Sequence, residues 1–146
     1  MEFKEAVNTC LTKKYCCFKG RASRSEFWWF CLFTLLIQIA VTIVGKILPA
    51  MASIISAVLG LWLLLPTLGI STRRLHDRNF SGWWQVLPLA AVLPAVAGAV
   101  LEADWLLMLA GCAAGLASLG LLIFYALKGT AGPNRYGPDP LDGSGV

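Results

Sequence analysis

Four apolar blocks joined by short polar stretches constrain this chain more than any other feature. A helix needs roughly 20 mostly apolar residues to cross a hydrocarbon core about 30 Å thick, because each residue advances about 1.5 Å. Residues 27–48, 51–70, 83–101 and 105–127 each meet that requirement. Lipid offers no partner to a bare backbone N–H or C=O, so only helices and closed barrels span it. No segment alternates as a barrel strand would. The expected fold is therefore all-α, a polytopic membrane protein of four transmembrane helices. Composition agrees: 14% of the 146 residues are charged, against about 25% in soluble domains. A cleaved signal peptide is not expected, because the first block starts late, runs long and lacks an Ala-x-Ala site. The expected organisation is an amino-terminal segment 1–22, a four-helix domain 23–128 and a Pro/Gly-rich tail 129–146.

Lysine and arginine bias sets the expected orientation. Lys4, Lys13, Lys14, Lys19, Arg21 and Arg24 precede the first block, Arg73, Arg74 and Arg78 lie between the second and third, and Lys128 and Arg135 follow the fourth. Lys46 alone falls on the other side, with Glu102 and Asp104. Both termini are thus expected in the cytoplasm, with Trp28, Trp29, Trp83 and Trp84 at the inner interface. Phe3, Val7, Cys10, Leu11 and Tyr15 recur at helical spacing, which fits an amphipathic helix on the inner leaflet.

Local signals add detail. Ser23 and Glu26 have the spacing of a capping box. Thr34, Gln38 and Thr42 share a helical stripe and are expected to bond between helices. Gly60, Ala95, Gly111 and Gly115 belong to small-residue repeats, expected to be packing seams or to serve a homo-oligomer. Pro66, Pro88 and Pro94 should kink their spans.

Absences narrow function. No Asp, Glu, Arg or His lies deep in a span, which disfavours ion-coupled transport and proton relays. The single histidine and five cysteines lack metal-site spacing. No H-E-x-x-H, G-x-S-x-G or P-loop pattern occurs. No catalytic residue, metal or cofactor is assigned, and the basic residues are accounted for by the membrane rather than by nucleic acid.

Three polar segments face one compartment: Gly20-Arg21-Ala22-Ser23-Arg24-Ser25-Glu26-Phe27-Trp28-Trp29, Arg73-Arg74-Leu75-His76-Asp77 with Ser81-Gly82-Trp83-Trp84, and Gly132-Pro133-Asn134-Arg135-Tyr136-Gly137-Pro138-Asp139-Pro140. In this order and spacing they resemble the YhaH-like bacterial inner-membrane proteins, a domain-of-unknown-function family. Asn79 stands where that family often has glycine, a mild departure because Asn tolerates a left-handed turn. The resemblance implies a four-helix inner-membrane protein and brings no established activity.

Two arrangements of these residues are open. Arg21, Arg24, Arg73, Arg74 and Arg78, flanked by Trp83 and Trp84, would form a collar that holds anionic lipid headgroups through forked guanidinium–phosphate bonds. Alternatively Ser23, Glu26, His76, Asp77, Asn134, Tyr136 and Asp139 would join entry segment, loop and tail in a structural clasp, taking up some of the same arginines. The expected function is a non-enzymatic scaffold or adaptor that binds anionic lipid, a protein partner, or both. A small oligomeric pore or transport accessory is the alternative, and a lipid-modifying enzyme using His76 and Asp77 comes third.

Overall fold

The computed structural model describes residues 1–141; the end of the expected tail, 142–146, lies outside the described residues. Helix α1, Phe3–Asn8, continues as a wider π-wound turn, Thr9–Lys13. Helices α2, Arg24–Gly45, and α3, Pro49–Asp77, follow. The third span is wound as a 3-10 segment over Gly82–Ala91 and then as α4, Val92–Val100. Helix α5, Asp104–Ala126, closes the bundle. Four of these helical stretches are long and apolar enough to cross a membrane.

Each boundary has a local cause. Ser23 caps α2 by accepting from the Glu26 N–H, and Pro49 opens α3 where a missing donor costs nothing. The expected capping box is only half made. The Glu26 carboxylate turns instead to Arg73. Pro88 lies within the 3-10 stretch, so its lost donor falls where the winding is already tighter.

The largest difference from expectation is the length of α3. Hydropathy falls at residue 70, yet the helix runs on to Asp77. Arg73, Arg74, His76 and Asp77 are therefore its last two turns rather than a loop. Charged side chains can extend a helix there because each finds a partner, as described below.

Helix α2 packs along α3, α5 packs along the 3-10 segment and α4, and the 3-10 segment touches α3. Cys10, Ala22, Phe27, Phe30 and Ile70 form a buried cluster at one end. Helix α1 lies against it with Ala6, Thr9 and Cys10 buried, Phe3 edge-on to Trp29 at 5.8 Å, and the Tyr15 hydroxyl donating to the Trp62 carbonyl at 2.6 Å.

The expected seams are corrected. Gly60, Gly111 and Gly115 are exposed, and a Cβ added to any of them would meet nothing within 4 Å; Ala95 is only half-buried. Close approach occurs instead at Gly69, where a Cβ would lie 3.1 Å from the Cys17 carbonyl oxygen, and at Gly98, 3.0 Å from the Leu107 nitrogen. The hydroxyls of Thr34 and Thr42 bond to carbonyls of their own helix, Cys31 and Gln38, both at 2.8 Å. A helical Thr can satisfy itself this way, so among the described residues the two hydroxyls of the stripe bond within their own helix rather than between helices.

Candidate functional site

The amino-terminal segment, the end of α3, the end of α5 and the tail meet at one end of the bundle. Their junction is a buried ion network. Arg73 pairs with Glu26 at 2.5 Å. Arg74 pairs with Asp77 on the same helix, and Arg21 reaches the other Asp77 oxygen at 2.9 Å. Asp139 lies 3.9 Å from Arg21. The Arg21, Arg73 and Arg74 side chains are at most 1% exposed. Three arginines thus face three carboxylates.

Helix ends explain why arginine is needed here. The last carbonyls of a helix have no partner within it and carry partial negative charge. Arg74 donates to the Tyr125 carbonyl at 2.9 Å and to Leu127, and so caps α5. Arg21 donates to the carbonyls of Thr130 at 2.5 Å and Gly132 at 2.6 Å, which folds the tail back under α3. A lysine has neither the five donors nor the fork to bridge two such elements.

The end of α3 is capped in turn. The Thr130 N–H donates to the Asp77 carbonyl at 2.9 Å, and the Asn134 amide donates to the His76 carbonyl at 2.9 Å. The Asn79 N–H returns to His76 at 2.9 Å and the Phe80 N–H to Leu75 at 3.0 Å. Asn79 adopts φ +64. This pattern is a Schellman motif with Asn in the left-handed position.

His76 is part of the same fastening. Its Nδ1 lies 3.2 Å from the Gly20 carbonyl, and its ring stacks on Tyr136 with centroids 3.8 Å apart. Cys10 is sealed beside the Arg73–Glu26 pair, 3.9 Å from each. Burial, reinforced by the Glu26 charge, pushes its thiol up to about 11, which disfavours the thiolate. Asp139 is held below the usual carboxylate range, chiefly by the Leu141 N–H and further by the Gly132 N–H and Arg21.

The structure therefore divides the expected collar. Arg21, Arg73 and Arg74 are buried and paired, and present no guanidinium to a headgroup. Their desolvation demands partners, which the carboxylates supply. Ser23, Glu26, His76, Asp77, Asn134, Tyr136 and Asp139 all lie in or against the network. Arg24 is exposed. Arg78 is half-buried, its guanidinium 4.3 Å from the Phe124 ring centroid. Neither makes an ion pair among the described residues. Trp83 is 81% exposed and Trp84 50%, at the start of the third span.

Sequence reasoning missed several participants. Thr130 and the carbonyls of Gly20, Tyr125 and Leu127 carry no charge to reveal them. Cys10 showed only as one residue of an apolar stripe. Arg135, counted only for topology, donates to the Asn79 carbonyl at 2.8 Å and lies over Tyr136. Lys128, also counted only for topology, is exposed beside Arg24 on a cavity between α2 and the tail.

Three relatives from Escherichia coli strain K12 are similar to this chain over most of its length. Inner membrane protein YhaI is 33% identical over 132 residues, 90% of this chain and 92% of its own. Inner membrane protein YhaH is 30% identical, covering 88% and 90%, and Uncharacterized protein YiiR is 34% identical, covering 86% of each. No solved structure matches. Residues 15–138, which contain the first two motifs, the third up to Pro138 and the ion network except Asp139, match the family described as Protein of unknown function (DUF805), and the chain belongs to that family.

Proposed function

We propose that this protein is a non-enzymatic scaffold of the inner membrane, with both termini and the α3 end in the cytoplasm, whose basic-aromatic face binds anionic phospholipid headgroups. One observation carries the reading. The buried network matches its arginines with carboxylates, while Arg24, Arg78, Lys128 and Arg135 make no carboxylate pair among the described residues at the same end. Cations left over at a membrane boundary beside exposed Trp28, Trp83 and Trp84 fit an anionic leaflet, where each is worth about 1 kcal/mol. The engagement of His76 and Asp77 in fastening the fold supports the non-enzymatic part.

The test is native mass spectrometry of the purified chain with phosphatidylglycerol added. The wild type should retain lipid in a salt-sensitive way, and Arg24→Gln/Arg78→Gln/Lys128→Gln/Arg135→Gln should lose it with helicity unchanged. Equal retention by both would remove the headgroup reading. A second reading, a small oligomeric pore or transport accessory, is favoured by the open space at Gly111 and Gly115 on α5. It requires a stable oligomer and ion flux from reconstituted vesicles, and absence of flux would end it.

A further inference from the structure

At the network end, an apolar groove of about 290 Å³ opens between the 3-10 segment and α5. Leu75, Phe80 and Trp84 form one wall, and Leu116, Leu121 and Phe124 the other. No charged or amide side chain lines it. The Schellman motif at Asn79 sets its upper end, because the Phe80 N–H closes that turn on the Leu75 carbonyl and both residues line the groove. Phe80 then meets Phe124 edge-on at 4.7 Å and Trp84 at 6.2 Å.

Arg78 sits at this aromatic rim, its guanidinium 4.3 Å from the Phe124 centroid. Stacking fixes the plane of the guanidinium, yet Arg78 makes no side-chain hydrogen bond or ion pair among the described residues. Arg135, from the tail, is tied to the carbonyl of the adjacent Asn79. An apolar slot thus has Arg78 at its rim and Arg135 beside the adjoining turn, neither with a carboxylate partner among the described residues.

We infer that this groove holds one acyl chain of an anionic phospholipid whose phosphodiester lies on Arg78. The inference rests on the headgroup reading above and adds a site that distinguishes a retained lipid from the bulk leaflet. The chemistry selects the occupant. A free phosphate would leave the groove empty, and a peptide would bring backbone N–H and C=O groups to walls whose side chains offer them no partner. A lipid satisfies both parts at once, with its phosphate at the fork of Arg78.

Gly120 permits a direct test. Ala117, Gly120, Leu121 and Phe124 share one face of α5 and line the groove; a Cβ at Gly120 would meet nothing within 4 Å. Gly120→Leu therefore adds bulk to the groove from a position whose Cβ has room, and Ala117→Leu adds it from the preceding turn. Gly115 is equally open but does not line the groove, so Gly115→Leu is the control. Retention of dioleoyl phosphatidylglycerol by the full chain would be followed by native mass spectrometry, with glycerol 1-phosphate as a chain-free competitor.

Gly120→Leu, Ala117→Leu and Arg78→Gln should each weaken retention about tenfold, the effect of losing roughly 1.4 kcal/mol. Gly115→Leu should not, and glycerol 1-phosphate should not displace the lipid. Wild-type retention by folded Gly120→Leu and Ala117→Leu would overturn the groove, while the headgroup reading survives if the fourfold Gln variant still loses lipid. Displacement by glycerol 1-phosphate would overturn it differently, by showing that the phosphate alone is recognised. If neither the groove variants nor the fourfold variant changes retention, both readings fall together.

Discussion

The two ends of this bundle are built on different principles. At the network end, Arg21, Ser23, Glu26, Phe27, Phe30 and almost every residue from Gly69 to Asp77 are buried. At the other end Ile47, Leu48, Val100, Leu101 and Trp105 are exposed, and the joint between α4 and α5 turns through Glu102 at φ +51. One end is fastened by arginines, carboxylates and helix caps; the other is closed by two short connections. In a bilayer the difference has a physical reason. Lipid tails are as apolar as leucine, so apolar contact alone gives helices little drive to associate. Polar groups shielded from water supply what the hydrophobic effect supplies in a soluble core, and here they are concentrated at one end.

The strongest way to break this contrast is Asp77→Asn. Asp77 accepts from both Arg21 and Arg74, so the variant leaves two buried guanidiniums short of a counter-charge. Removing one partner of a buried pair costs about 3–5 kcal/mol. Unfolding in detergent titrated with SDS, followed by circular dichroism, should show a loss of that size. A loss below 1 kcal/mol would mean that the network is not what holds this end together. Cys10 gives a second reading of the same end. With its thiol raised from 9.0 to about 11, the thiolate fraction at a fixed mildly alkaline pH falls roughly a hundredfold. Maleimide should therefore label exposed Cys16 quickly and Cys10 at least that much more slowly, until Glu26→Gln or Arg73→Gln opens the site.

Gly129→Ala sharpens the comparison at intermediate size. A Cβ there would run into the Asp77 carboxylate, so the tail must move away from α3. Overpacking of this kind costs about 1–3 kcal/mol, and the same unfolding measurement should place Gly129→Ala between Asp77→Asn and wild type. Wild-type stability would show that the tail is not pressed against α3.

How much of this was legible in the sequence follows from what each interaction depends on. Spans depend on local hydropathy, so four were readable, and boundaries erred where a helix outran its apolar stretch, as α3 did beyond residue 70. The motifs that hold Arg73, Asp77 and Asn134 marked the right region. Whether an arginine faces lipid or a carboxylate depends on residues far along the chain, as with Arg21 and Asp139, and no local pattern reports that. Gly111 and Gly115 misled for the opposite reason. Their spacing is local, but what a small residue packs against is not.

Asp139 offers a smaller, pH-dependent test at the edge of the network. Its folded pKa lies below the ordinary 3.8, so the folded state favours its ionised form. The stability it contributes is fully present above that ordinary value and is lost as pH falls through the lower folded one. Wild type and Asp139→Asn should therefore run parallel from neutral pH to about 4 and converge only below it, a slight effect for a group at the edge of the network. Divergence that sets in near neutral pH would mean that Asp139 does not titrate as an ionised partner of the Leu141 and Gly132 N–H groups and Arg21.

The smallest expected effect concerns the face that contrasts most with the network. Gly111 and Gly115 lie on α5 with open space beyond them, so Gly111→Ala and Gly115→Ala should each change unfolding in dilute detergent by no more than about 0.5 kcal/mol. If that holds at all protein concentrations, α5 presents this face to lipid alone. A destabilisation that grows with protein concentration would instead locate a second copy against α5, because only an intermolecular contact makes stability depend on mass action. Detergent-resolved mass, measured on the same variants, separates the cases: a monomer unchanged by either alanine removes the oligomeric pore. An oligomer split by both variants would make this face an interface in its own right, beside the network that closes each copy.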